Sequence, residues 1–175
     1  MGFSIPLLGR SGNSQTKTPV IGAPSHDGVT EALRIEGVEG RTRITTAHGE
    51  IPARLLRPND RVKTRDGRFL PVLGVNEIRM DPDFVFYHPD ARPIRISAGA
   101  FGKSRPWEDI YLAPDQVVGG GLSQAESFFC RARDLLDHPM VIRARDADLS
   151  YYQIELGTQA AIQCEKVWLR VDSGA

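Results

Sequence analysis

The sequence predicts an all-β domain preceded by a disordered N-terminal arm. Two observations carry this. From residue 29 onward, β-branched and apolar residues come in short runs, each closed by Gly, Pro, Asn or Asp turns. Residues 11–28, SGNSQTKTPVIGAPSHDG, hold little to bury and do not offset the entropy of ordering them. Composition therefore divides the chain into a flexible arm over 1–28 and a domain over 29–175. A length of 175 residues suits one domain with one core.

The elements follow in order. Met1–Arg10 has an apolar patch broken by Pro6 with no basic stretch before it, and reads as a flexible end rather than a secretory signal. Ala32–Ile35 reads as a lead-in strand. Arg43-Ile44-Thr45 then faces Ile51-Pro52-Ala53 across Ala47-His48-Gly49-Glu50, a hairpin with Gly49 free to take positive φ. Leu55 and Leu56 are expected to turn inward, and Pro58-Asn59-Asp60 bends the chain into a strand at Arg61–Thr64. Asp66-Gly67 is a hairpin signal.

Phe69, Val72, Leu73, Val75 and Ile78 read as one long strand, bent or bulged at Pro71 or Gly74. Met80–Ala91 is expected to be a loop, because Asp81-Pro82-Asp83 and His88-Pro89-Asp90 are turn signals. Ile94–Ser97 alternates as a strand, and Ile110-Tyr111-Leu112 is another. Gly119-Gly120-Gly121 reads as a flexible break. Beyond it, Ser123 and Glu126 fit a capping box with Phe128, Ala132, Leu135 and Leu136 at helical spacing. The competing reading is a strand over Phe128–Ala132 and one helical turn over Arg133–Asp137. Met140–Ile142, Tyr151–Leu156 and Ala161–Val171 complete an all-β succession of the barrel or sandwich kind.

Bulk chemistry narrows the function. The 22 basic and 22 acidic residues cancel, and no basic stretch is interleaved with aromatics, so neither nucleic acid nor an anionic membrane is an expected partner. No apolar run approaches the ~20 residues of a membrane span. Cys130 and Cys164 are far apart with no CxxC and no His at ligand spacing. That pattern predicts two buried thiols, no metal, no cofactor and a reduced, cytoplasmic setting. Ser25-His26-Asp27 brings three triad residue types together, but adjacent side chains do not align as nucleophile, base and orienter. His48, His88 and His138 sit in polar turns. Cys130 and His138 form a candidate thiol dyad only if the fold brings them within hydrogen-bond reach.

Four stretches, taken in order, carry a resemblance. They are Gly37–Thr64 (GVEGRTRITTAHGEIPARLLRPNDRVKT), Pro93–Gly102 (PIRISAGAFG), Asp109–Val118 (DIYLAPDQVV) and Tyr151–Leu156 (YYQIEL). Together they resemble the hedgehog/intein (Hint) domain family, whose bacterial members carry Cys-Phe-x-x-Gly-Thr-x-Ile, Pro-Ile-Arg-Ile-x-Ala-Gly-Ala-Leu-Gly, Asp-Leu-x-Leu-Ser-Pro-x-His-x-Val and Tyr-x-His-x-x-Leu. The resemblance implies a compact, Hint-like β domain and favours the strand-then-turn reading at Phe128–Asp137.

Active members of that family cut their own chain. The Cys side chain attacks the preceding carbonyl, and a His donates to the departing nitrogen. Here Gly37 stands at the nucleophile position, and Ile35–Gly40 contains no Cys, Ser or Thr. Gln116 stands where the His is expected, and Gln153 and Gln159 stand where relatives often carry His. An amide does not shuttle a proton near neutral pH. Thr42 matches the family and is expected either to bond backbone or to help position an oxyanion. Asp115 is either turn chemistry or a base for water-driven cleavage. The expectation is a domain that has lost self-cleavage and binds a protein partner, with a remnant cleft between Gly37 and Gln116. The rival expectation is an autoprotease or acyl-transfer enzyme using Thr42 or Cys130.

Overall fold

The computed structural model describes residues 20–21, 34–120, 128–145 and 150–172. Its strands are β1 (Val20–Ile21), β2 (Val38–Glu39), β3 (Arg43–Thr46), β4 (Gly49–Pro52), β5 (Arg61–Lys63), β6 (Phe69–Pro71), β7 (Gly74–Met80), β8 (Ile94–Ile96), β9 (Ile110–Leu112), β10 (Val117–Gly120), β11 (Phe128–Arg131), β12 (Val141–Arg143), β13 (Ser150–Glu155), β14 (Ala160–Cys164) and β15 (Val167–Val171). One sheet runs β1-β7-β13-β2-β9-β8-β12. The other runs β11-β10-β15-β14-β3-β5-β6, with β4 paired to β3. The main core contains Ile44, Val62, Ile94, Ile96, Ile110, Leu112, Ile162 and Leu169, contributed by both sheets and each fully buried or nearly so. A smaller core of Ile35, Ile78, Met80, Val85, Ala91, Ala113 and Tyr151 lies beside it.

The hairpins form where local turn chemistry requires them. Thr46 pairs with Gly49, whose φ is +112°, and the Thr46 hydroxyl donates to the Gly49 carbonyl at 2.7 Å. At Asp66-Gly67, the Thr64 hydroxyl donates to Asp66 and the Thr64 N–H to the Arg68 carbonyl. After residue 127 the chain forms β11 and then a 3-10 turn over Ala132–Leu135, as the strand-then-turn reading expects. Ser123 and Glu126, the proposed capping box, lie outside the described residues, as do Ser25, His26 and Asp27.

Several expectations are corrected. Of the expected lead-in strand, Ala32 and Leu33 lie outside the described residues, while Ile35 is buried and outside any strand. Leu56 turns inward, whereas Leu55, in a 3-10 turn over Ala53–Leu55, is exposed. The long strand expected after Phe69 is two strands, β6 and β7, that belong to different sheets. The expected loop at Met80–Ala91 holds a short helix, α1 (Pro82–Tyr87), followed by a 3-10 turn over Pro89–Ala91. Asp81 caps α1, its carboxylate accepting from the Asp83 and Phe84 N–H groups, and Pro82 takes a first-turn position where its missing N–H costs nothing.

Gly121 lies outside the described residues, but Gly119 and Gly120 are no flexible break. Both lie in β10 and are buried, and a Cβ on Gly119 would come within 2.6 Å of the Phe129 ring. Within the arm expected over 1–28, Val20 and Ile21 pair in parallel with Arg79 and Met80 of β7. Ala161–Val171 is a hairpin, β14 and β15, turning at Glu165 and Lys166 with φ of +44° and +65°.

Candidate functional site

The segment entering β2 is held along its backbone by residues far away in the chain. The turn after β9 throws two side chains at it: the Gln116 N–H bonds the Ala113 carbonyl, which aims Asp115 and Gln116 inward. Asp115 accepts the Ile35 N–H at 2.9 Å and returns its own N–H to the Ile35 carbonyl at 2.9 Å. Its second carboxylate oxygen meets Arg133 at 2.9 Å, so the buried charge is paired. Asp115 therefore anchors the chain rather than merely shaping a turn.

The Gly37 N–H donates to Gln116 Oε1 at 3.0 Å, and the Gly37 carbonyl accepts the Ala113 N–H at 2.9 Å. The Gln116 amide nitrogen donates to the Arg170 carbonyl at 2.7 Å and to the Val117 carbonyl at 3.1 Å. Both ends of this buried amide are thus satisfied. Gln153 Nε2 donates to the Glu36 carbonyl at 3.3 Å. The Glu36–Gly37 peptide bond is accordingly bracketed by an amide donor on its carbonyl and an amide acceptor on its N–H. A donor on the carbonyl polarises it, but the following residue offers no nucleophile. Gln116 presents an acceptor to the nitrogen, which is the reverse of delivering a proton to it. Gly37 has a φ of +122°, and a Cβ there would stand 2.9 Å from the Tyr152 carbonyl oxygen.

The sequence places a cleft between Gly37 and Gln116; the structure brings those two into hydrogen-bond contact and sets Gln153 on the Glu36 carbonyl of the same peptide bond. Gln159 does not touch the Glu36–Gly37 peptide; its amide donates to the Asp172 carboxylate at 2.9 Å. Thr42 is buried, and its hydroxyl both donates to the Tyr111 carbonyl (3.3 Å) and accepts the Tyr111 N–H (3.2 Å), tying the start of β3 to β9. This is the backbone-bonding role, with the hydroxyl committed on both sides. The Cys130 thiol is pushed up from its ordinary value by burial and then by the Asp134 carboxylate, so it stays protonated. No hydrogen bond joins Cys130 to His138, whose Nδ1 accepts the Met140 N–H at 3.2 Å. Cys164 is fully buried, and burial holds its thiol well above the ordinary value. His88 stacks on Phe84, 4.5 Å between ring centroids.

Beside Gly37 opens a cleft of about 370 Å³, walled by Gln116, Gln153, Asn76, Glu155, Leu169 and Asp172, among others. Asn76, Glu155 and Asp172 carried no signal in the sequence, because only the pairing of β7 with β13 and the end of β15 bring them here. Among the described residues no group of His, Cys, Asp and Glu is placed to hold a metal ion, and no helix is long and apolar enough to cross a membrane.

Two antiparallel-rich sheets closing on a cleft at the start of β2 define the class, and comparison with known proteins gives the family. The Hint domain family profile matches residues 38–170, most of the chain. This chain belongs to the Hint domain family. Among solved structures it is similar to the gp41-1 intein, with 10% identity and a TM-score of 0.49, over 77% of this chain and 98% of the intein. It is also similar to a splice-inactive, GSH-linked variant of the AceL NrdHF class 3 split intein, with 11% identity and a TM-score of 0.49, over 81% of this chain and 100% of that one. No match is found among curated proteins.

Proposed function

We propose that this Hint domain does not cut its own chain and acts as a binding module, with the cleft beside Gly37 as its recognition site. The observation that carries the proposal is the Glu36–Gly37 junction itself. It has no side chain to attack with, and Gln116 sits on the amide as a hydrogen-bond acceptor. Supporting it, the two rival nucleophiles are otherwise engaged: the Thr42 hydroxyl by Tyr111, and the Cys130 thiol by an environment that keeps it protonated. A cleft of about 370 Å³ lined by both apolar side chains and amides is within the size range of a small recognition site.

The test is the intact mass of the purified chain, followed for days with and without thiol or hydroxylamine. A single stable species at 19.3 kDa agrees with the proposal. Two fragments meeting at Glu36–Gly37 would overturn it and turn attention to Thr42, Cys130 and Cys164.

A further inference from the structure

The cleft is unevenly charged. Glu36, Glu155 and Asp172 line it, together with the neutral amides of Asn76 and Gln153. On one side, Glu36 and Asp172 share a guanidinium from outside the lining: Arg34 contacts Glu36 and lies 3.9 Å from Asp172. On the other side, the Glu155 carboxylate accepts from the Asn76 amide at 2.5 Å and meets no cation among the described residues. The lining contains one cationic residue, Arg170, and its guanidinium is drawn over the Phe129 ring, 5.1 Å from the centroid. The same lining includes the aliphatic side chains of Ile162, Leu169 and Val171.

We propose that the cleft takes the side chain of an arginine from a partner polypeptide, with its guanidinium at Glu155 and its methylene stem along Leu169 and Ile162. This names the ligand chemistry of the binding-module reading and rests on that reading. Three features favour this occupant. The planar guanidinium matches a carboxylate two bonds at a time, and its remaining N–H groups suit the amide oxygens of Asn76 and Gln153. The aliphatic stem of an arginine lies comfortably along apolar surface while its head stays polar. Arg34, more than half exposed, already places a guanidinium between Glu36 and Asp172, so the mouth accepts this group from the chain itself. Arg34 is then a neighbouring positive charge at the rim.

The test uses the full chain, ¹⁵N-labelled, titrated with Nα-acetyl-arginine-N-methylamide and with its neutral citrulline counterpart. The arginine probe is expected to move the side-chain amide resonances of Asn76 and Gln153, and the citrulline probe to bind about tenfold more weakly. Glu155→Gln is expected to weaken the arginine probe by about tenfold as well. Arg34→Ala is expected to tighten it by roughly threefold, because a repelling cation nearby is removed, and added salt to weaken it.

Equal binding of the two probes, indifference to Glu155→Gln, or no movement of either amide would overturn the inference. If the two probes bind equally while the chain keeps its intact mass, the charge assignment falls and the binding-module reading stands. Self-cleavage of the purified chain would remove both together.

Discussion

The Gly37 N–H and the Gln116 side-chain carbonyl meet at 3.0 Å, although 79 positions separate the two residues. One buried amide thereby links three pieces of backbone: the lead into β2, the start of β10 and the end of β15. A histidine in this position offers at most two ring nitrogens for three bonds. Gln116 is suited to holding the site together, and this is the use of the position that the geometry displays.

Gln116→Ala removes the acceptor for Gly37 and both donors to the carbonyls of Val117 and Arg170. Buried groups left without partners cost about 1–3 kcal/mol each, partly recovered by water from the adjoining cleft. The expected loss is about 2 kcal/mol, read by thermal melting as a fall in Tm of roughly 4–8 °C.

Restoring the family's residues is not expected to restore its chemistry. Gly37→Cys imposes a side chain at a φ of +122° and sets its Cβ against the Tyr152 carbonyl. The expected cost is about 2–3 kcal/mol in urea denaturation. The double variant Gly37→Cys with Gln116→His is expected to release no fragment on hydroxylamine treatment. Fragments from the double variant would show that the surrounding scaffold still supports cleavage.

Gly119 is expected to tolerate no enlargement. Gly119→Ala drives a methyl into the Phe129 ring and the Phe128 carbonyl, at 2.6 and 2.8 Å. Overpacking of this kind costs about 1–3 kcal/mol. An unchanged melting temperature would show that β11 shifts freely away from β10.

The parts of this fold legible in the sequence are those fixed by near neighbours. The β3–β4 and β5–β6 hairpins follow from Gly49 and Asp66-Gly67, which take their turns in any context. The β14–β15 hairpin was read as one stretch because its turn residues, Glu165 and Lys166, are not turn formers. Distant partners hold them: Arg43 bonds Glu165, the Trp107 N–H bonds the Glu165 carbonyl, and the Lys166 ammonium lies 3.8 Å from the Trp107 ring centroid. The helix α1 was hidden because Asp81-Pro82 serves equally as a turn signal and as a helix cap, and six residues show no period. Gly119 and Gly120 read as a break because glycine in isolation signals freedom, while the rings that require it belong to β11.

For the site, motif order alone placed Gly37 beside Gln116. Nothing local announced that Asp115 would clamp Ile35 or that Glu155 would face Asn76.

The Arg43–Glu165 pair sets a pH dependence whose sign follows from burial. Burial is the leading influence on the Glu165 carboxyl and raises it above the usual carboxylate range. The Arg43 hydrogen bond and charge pull it back only in part, and the Glu108 and Glu50 carboxylates push it up further. Folded Glu165 thus binds its proton more tightly than unfolded Glu165, whose carboxyl titrates near about 4.3. As pH rises from that value through the higher folded value, the unfolded state releases its proton first, and the contribution of Glu165 to stability declines. Glu165→Gln cannot ionise and lacks this slope. The stability of wild type relative to Glu165→Gln is therefore expected to fall as pH rises above about 4. Paired urea titrations at several pH values measure that difference. A difference that grows with pH would mean that the attraction of Arg43 outweighs burial at this turn.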